Sequence, residues 1–301
     1  MKIFLFHTLF EDPYVNLIIK VIKNCSTDIQ IVDNYENCDI CIIGLFPEDL
    51  EKVELNFLSD EKINFFVLGE SSESFKYFRD LNIYKDKNFL NKVYVIGMEK
   101  DFLIGKKFIN LSYWKSHIDW FQDNPNLISL NEIKNNKWKT KNKEMTATFI
   151  SSYKYWNVNN NLLQRYKYVE MLKNNFLYIN HPSRDEIGEG IRNKLDFMSN
   201  HLVHLPFENT IASGYVTEKL FHGLLSGSIN LYYGHKDVEN DFNKNAFFIF
   251  NDEESLFTEV EKIKSLLSSK DKIQSFLETD PFLDNMNIDF FINQIYSIVK
   301  K

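Results

Sequence analysis

Short apolar runs rich in β-branched and aromatic residues alternate along this chain with stretches in which apolar residues recur every three or four positions. The runs at 2–6, 29–33, 40–45, 63–69 and 93–97 read as strands, and Tyr14 to Lys23 reads as a helix between the first two. That alternation predicts a parallel sheet with crossover helices. Tyr113 to Phe121 is helical in pattern, after which Asn131 to Lys143, NEIKNNKWKTKNK, loses periodicity and reads as a linker. From Met145 the alternation restarts, with strands at 146–151, 176–179, 202–208, 229–233 and 246–250 and helices at 161–174, 190–198 and 217–226. Ser255 to Leu267, Lys270 to Leu277 and Ile288 to Val299 are apolar at helical spacing and end the chain. The expected fold class is α/β, with two Rossmann-like domains and C-terminal helices. The expected domains are 1–143 and 144–284, with 285–301 a helix able to pack back on the first.

One stretch departs from an ordinary core pattern. Between Phe207 and Gly234, Phe207-Glu208-Asn209 closes an apolar run, and a turn containing Ser213 and Gly214 leads into Tyr215-Val216-Thr217-Glu218-Lys219. Thr217 fits a helix N-cap, with Glu218 and Lys219 in the first turn. Leu220, Phe221, Leu224 and Leu225 follow at helical spacing, Gly227 fits the C-terminal cap, and Ile229 to Tyr233 reads as the next strand. A lysine at a helix start opposes the macrodipole unless an anion sits nearby. Free N–H groups beside the Lys219 ammonium suit a phosphate or diphosphate, and Glu218 suits the hydroxyls of a ribose or sugar. The same residues also fit a solvated first turn with an incidental Glu-Lys pair.

At 301 residues the chain is long enough for two domains, and 44% hydrophobic content with 27 Phe and 15 Tyr predicts a packed globular protein. The formal charge of -7 argues against a nucleic-acid partner. MKIFLFHTLFEDPY is too short an apolar run for a signal peptide, and no stretch approaches the roughly 20 apolar residues of a membrane span. Cys38-Asp39-Ile40-Cys41 spells C-x-x-C but has no second pair to complete a zinc site, so it reads as core; the odd count, with Cys25, favours reduced thiols. His201-x-x-His204 places its imidazoles on opposite faces of a strand and reads as structural. Trp114, Trp120, Tyr153 and Trp156 could stack on sugar rings, but in so aromatic a chain the core reading is stronger.

The spelling FEN, a short loop, YVTEKL, a small-residue break and a strand ending in Gly resembles the signature of the α-1,3/4-fucosyltransferases, glycosyltransferase family ten. Ile63 to Ser74, INFFVLGESSES, is similar to that family's strand, Gly-Glu pair and Ser-rich turn. Ala147 to Leu172 is similar, more loosely, to its first donor-domain strand and helix. The resemblance spans residues 60 to 250 and implies two domains facing a cleft, the GT-B architecture. It implies Glu70 as catalytic base and Arg165, Asn209, Tyr215, Glu218 and Lys219 as donor-binding residues. Gly188-Glu189-Gly190-Ile191-Arg192 resembles a loop that precedes the signature, but a lone G-x-G is weak, and Arg192 is not assigned to the site.

The implied reaction transfers L-fucose from GDP-β-L-fucose, with inversion, to a hydroxyl of a lactosamine-like glycan in α-1,3 or α-1,4 linkage. No cofactor or metal is expected: the chain has no Asp-x-Asp pair, so positive side chains and a helix N-terminus would meet the diphosphate. Expected partners are the sugar nucleotide and an acceptor oligosaccharide. A soluble, cytoplasmic enzyme of bacterial or viral type is expected, peripheral at a membrane where its acceptor is lipid-linked. Asn230 and His235-Lys236 stand where the family often has proline, which puts the donor sugar in question. A relative using another nucleotide-activated sugar, or a catalytically lapsed glycan- or nucleotide-binding protein, are the alternatives; a plain structural α/β protein leaves Lys219 unexplained.

Overall fold

The computed structural model describes residues 1–6, 12–25, 28–44, 58–69, 87–98, 107–151, 160–283 and 286–300. Its contacts divide the chain into two compact units, Met1–Ser116 with Asn287–Lys301, and His117–Met286.

In the first unit, strands β1 (Lys2–Phe6), β2 (Gln30–Val32), β3 (Ile40–Gly44), β4 (Ile63–Leu68), β5 (Tyr94–Gly97) and β6 (Phe108–Asn110) form a parallel sheet in the order β2-β1-β3-β4-β5-β6. The register sets Ile3 beside Ile40, Ile42 beside Phe65 and Val67 beside Ile96. All of β3 is buried, which explains why it reads as an unbroken apolar run rather than an alternating one. Helix α1 (Pro13–Cys25) opens on Pro13, whose missing N–H costs nothing there. The Asp12 carboxylate accepts from the N–H groups of Tyr14 (2.7 Å) and Val15 (3.1 Å). Helix α2 (Lys87–Lys92) precedes β5. The C-terminal helix Asp289–Val299 packs against α1, and Tyr296 Oη donates to the Asn24 carbonyl at 2.9 Å. Cys38 and Cys41 are buried free thiols in this core, as their reading required.

Tyr113 to Phe121 is not one α-helix. A 3-10 turn, Tyr113–His117, runs into a short strand β7 (Ile118–Asp119), which pairs with β8 (Ile128–Ser129). The Asp119 carboxylate accepts from the N–H groups of Asp123 and Asn124, diverting the backbone from a helical ladder.

Residues 131–143 are not a linker but part of the second unit. Helix α3 (Leu130–Lys134) starts on a reciprocal capping box between Ser129 and Glu132, and a 3-10 turn follows over Lys137–Thr140. Trp138 is fully buried and its Nε1 donates to Asp196 at 3.0 Å. Lys143 donates to the carbonyls of Trp138 (3.3 Å), Ser199 (2.8 Å) and Ser226 (2.7 Å). One aromatic anchor and side-chain-to-backbone bonds hold the stretch, and neither has a period to read.

The second sheet comprises β9 (Glu144–Thr148), β10 (Ile179–Asn180), β11 (His201–His204), β12 (Ile229–Tyr233) and β13 (Phe248–Phe250), parallel, in the order β10-β9-β11-β12-β13. Helices α4 (Asn160–Asn175), α5 (Arg184–Ile187), α6 (Ile191–Met198), α7 (Glu218–Leu225), α8 (Glu253–Leu267) and α9 (Lys270–Leu277) complete the unit. Five aromatic rings sit among the aliphatic side chains of its core: Phe207 lies 5.6 Å from Phe149 and 5.3 Å from Phe250, and Tyr168 lies 5.2 Å from Tyr233. β11 ends at His204, short of the expected 208, because Pro206 offers no N–H to continue the ladder. Gly227 follows α7 at φ +69, and a Cβ there would meet Lys139 Cα at 2.6 Å, so both backbone and space demand glycine. The expected α/β class, with two parallel sheets and terminal helices, is the observed one. Among the described residues no helix is long and apolar enough to cross a membrane.

Replacing Lys143 with Met removes the donor for three backbone carbonyls; the expected cost is about 3 kcal/mol, read from denaturant unfolding. Arg192 Nη2 donates to Glu132 Oε2 at 2.8 Å and to the Leu127 carbonyl at 2.8 Å, tying α6 to α3. Burial opposes ionisation of Glu132, but the Ser129 N–H and Arg192 outweigh it and hold the carboxyl below its ordinary 4.5. A depressed carboxyl contributes stability above pH 4.5 that is lost as pH falls through the lowered value. Arg192→Met is therefore expected to destabilise by about 1 kcal/mol at pH 7, with the difference from the unmodified protein shrinking below pH 4.5 in urea titrations.

Candidate functional site

The order of the second sheet reverses between β9 and β11. From β9 the chain crosses through α4 to β10 on one side, and from β11 it crosses through α7 to β12 on the other. In an open parallel sheet such a switch point leaves a crevice beyond the carboxyl ends of the two strands, where ligands bind. The topology thus brings Arg165 of α4 and the first turn of α7 to the same end of the sheet.

Beyond β11, the Leu205 N–H donates to the Thr148 carbonyl at 2.9 Å and Phe207 forms a bridge with Tyr233. The Glu208 N–H then donates to the Tyr233 carbonyl at 2.9 Å, which turns the Glu208 carboxylate inward, where it has no solvent exposure. It accepts from the Thr217 N–H (2.9 Å), the Thr217 hydroxyl (2.7 Å) and Lys219 Nζ (3.1 Å), with Tyr232 Oη at 3.4 Å. Burial and the adjacent Glu208 charge push the Tyr232 hydroxyl pKa up. Thr217 is the N-cap residue of α7 as expected, but its hydroxyl serves Glu208 rather than the helix N–H groups. Lys219 Nζ also donates to Thr217 Oγ1 at 2.9 Å, so the lysine at the helix start is held by a carboxylate of the chain itself.

Arg165 is 4% exposed, with its guanidinium over the rings of Phe149 and Tyr166 at 5.9 and 5.5 Å. It donates to Asn209 Oδ1 (2.7 Å), Ser151 Oγ (3.0 Å) and the Phe207 carbonyl (3.4 Å). Among the described residues none of its hydrogen bonds is to a carboxylate, and its buried Nε has no hydrogen-bond partner. Burial lowers its pKa from the ordinary arginine value. A buried guanidinium aimed at neutral acceptors retains charge for an anion. Asn209 stands in the Arg165 bond, and Tyr215 is fully buried.

Glu218 lies 3.8 Å from Lys194 Nζ, an ion pair too long for a hydrogen bond. Burial opposes its ionisation, yet Lys219, Lys194, His117 and His222 together hold its carboxyl well below the usual range. His117 and His222 stand edge to face at 5.0 Å, and burial pushes the His117 pKa down to about 4. His222 is held well below its ordinary value, first by burial and then by Lys194. Lys194, His117 and His222 carry no motif. The one available signal is that Lys194 lies beside Leu195 and three residues from Ile191, putting a cation close to the apolar stripe of α6.

Arg192 is bound to Glu132 and to backbone carbonyls. His201 Nδ1 meets Thr146 Oγ1 at 2.8 Å and His204 Nδ1 meets the Thr148 carbonyl at 3.1 Å, consistent with structural roles. Asn230 is fully buried against α7: a Cβ on Gly223 would fall 1.9 Å from Asn230 Oδ1. Among the described residues no group of three or more His, Cys, Asp or Glu is placed to hold a metal ion. Glu70, with Tyr153 and Trp156, lies outside the described residues.

Residues 138–288, half of the chain, match the family model described as glycosyltransferase family 10 (fucosyltransferase) C-term. The α-(1,3)-fucosyltransferase FucT of Helicobacter pylori is 34% identical over 98 residues, a match covering 33% of this chain and 20% of that protein. The chain is also similar in fold to the crystal structure of an α1,3-fucosyltransferase with GDP, at TM-score 0.67 and 18% identity over 100% of this chain and 90% of the other. A structure of an α1,3-fucosyltransferase with GDP-fucose matches at TM-score 0.65 with the same coverage. The YVTEKL helix start, the buried Glu208 and the Arg165 helix all lie in the half matched by the model, and this chain belongs to glycosyltransferase family 10, the fucosyltransferases.

Proposed function

We propose that this protein transfers L-fucose from GDP-β-L-fucose, with inversion, to a hydroxyl of an acceptor glycan of lactosamine type, in α-1,3 or α-1,4 linkage. The observation that carries the reading is the convergence of Arg165, Asn209, Glu218 and Lys219 at the switch point of the family-matched unit. A diphosphate placed there meets two cations and the N-terminus of α7, the groups that stabilise a departing nucleoside diphosphate. The solved relatives bound to GDP and GDP-fucose support the choice of donor.

In this mechanism Glu70 removes the acceptor hydroxyl proton as the acceptor oxygen bonds to fucose C1, and the bond from C1 to the β-phosphate oxygen breaks on the opposite face. GDP leaves with the electron pair, its charge met by Arg165 and Lys219. Glu218 accepts from hydroxyls of the bound donor, Asn209 orients Arg165, and Tyr215 serves through the loop it anchors. Lys219 is preorganised by Glu208 and Thr217, so it needs no search among rotamers when the diphosphate arrives. No metal is required in this scheme, because fixed side chains supply the positive charge. The acceptor partner is an oligosaccharide, and a lipid-linked one would bring the enzyme to a membrane surface.

GDP release from GDP-fucose over a panel of lactosamine-type acceptors tests the reading. Acceptor-dependent release that persists in chelator, and falls by about a hundred-fold or more in both Glu70→Ala and Lys219→Ala, is the expected result. Turnover of a different sugar nucleotide would reassign the donor, and binding without turnover would leave a lapsed glycan- or nucleotide-binding protein.

A further inference from the structure

Glu218 and Lys219 are chain neighbours of opposite charge, yet each looks elsewhere for its partner. Lys219 is bound by Glu208 and Thr217, at 3.1 and 2.9 Å. Glu218 is left beside two buried imidazoles and one cation from a different helix, Lys194 of α6, at 3.8 Å. Lys219 and, after it, Lys194 make an ionised carboxylate tolerable at this depth, and of the two only Lys194 is not hydrogen-bonded to another carboxylate among the described residues. His117 and His222 contribute less than the lysines, since burial first of all holds both imidazoles below their ordinary pKa.

The length of the Lys194 contact matters as much as its sign. At 3.8 Å the ammonium neutralises Glu218 without occupying its lone pairs. An ionised carboxylate with open lone pairs can accept from two adjacent hydroxyls at once, the arrangement that a ribose diol presents. Lys194 is itself partly buried on a helix whose neighbouring Leu195 and Met198 face the core, a position where an unpaired lysine is costly. We infer that Lys194 is a positioning residue for donor recognition, holding Glu218 ionised and open so that it binds the vicinal hydroxyls of the nucleotide ribose. The inference rests on the first turn of α7 being the donor site.

A double-mutant cycle read by calorimetric GDP binding to the full chain tests it, with Lys194→Met, Glu218→Gln, their combination, and Lys194→Arg. Lys194→Met is expected to weaken GDP binding about ten-fold with Glu218 present and less than about two-fold in the Glu218→Gln background. Lys194→Arg, which keeps the charge, is expected to stay within about three-fold of the unmodified protein. The effect of Lys194→Met is also expected to be lost when 2′,3′-dideoxy-GDP replaces GDP as probe. An equal loss in both backgrounds would mean that Lys194 meets the phosphates or acts only through the fold, and would overturn the inference. Failure of the unmodified protein to bind GDP would overturn the donor reading and this inference with it; binding with an additive cycle would overturn this inference alone. If Lys194→Met does not fold, Lys194→Gln takes its place in the same cycle.

Discussion

A carboxylate with no solvent exposure survives only where its acceptors are filled, and Glu208 achieves this with the backbone N–H and hydroxyl of Thr217 and the ammonium of Lys219. That one group connects the end of β11 to the start of α7. It accepts from the backbone N–H of the N-cap residue Thr217 itself and holds the Lys219 ammonium. The Glu208 N–H is in turn held by the Tyr233 carbonyl, so the carboxylate's placement is set by sheet geometry rather than by loop conformation. Removing either partner would leave a buried charge without its complement.

Around this anchor the charges pair across elements rather than along the chain. Arg165 reaches from α4 to Asn209 and Ser151, Lys219 from α7 to Glu208, and Lys194 from α6 to Glu218. Among the described residues of this cluster three cations face two carboxylates, an excess of positive charge. In the core of the same unit ring contacts run from Phe149 to Phe207, from Phe207 to Phe250 and from Phe250 to Tyr168. This cluster of side chains stands at the switch point of the α/β scaffold.

Much of the fold was legible because the strands and helices carry strong local signals. β3 is a continuous apolar run, Gly227 ends α7 where a positive φ is needed, and Lys219 stood out as a cation against the helix dipole. What escaped was held by interactions without a period. Trp138 and Lys143 fold residues 131–143 into the second unit through one buried ring and three carbonyls, and Asp119 diverts 118–124 from a helix through its side chain.

By itself the sequence determined most of the element types, the two parallel sheets and the family resemblance, since these rest on local periodicity, capping residues and a long literal motif. It also singled out Arg165, Asn209, Glu218 and Lys219, but not their partners. Only the tertiary structure decided that Lys219 is hydrogen-bonded to Glu208, that Lys194, His117 and His222 lie around Glu218, and that Tyr215 is fully buried. The physical reason is that pairing among charges depends on distance and burial across elements, and residues 194, 208, 218 and 219 acquire both only when the sheet changes direction and brings α6 and α7 side by side.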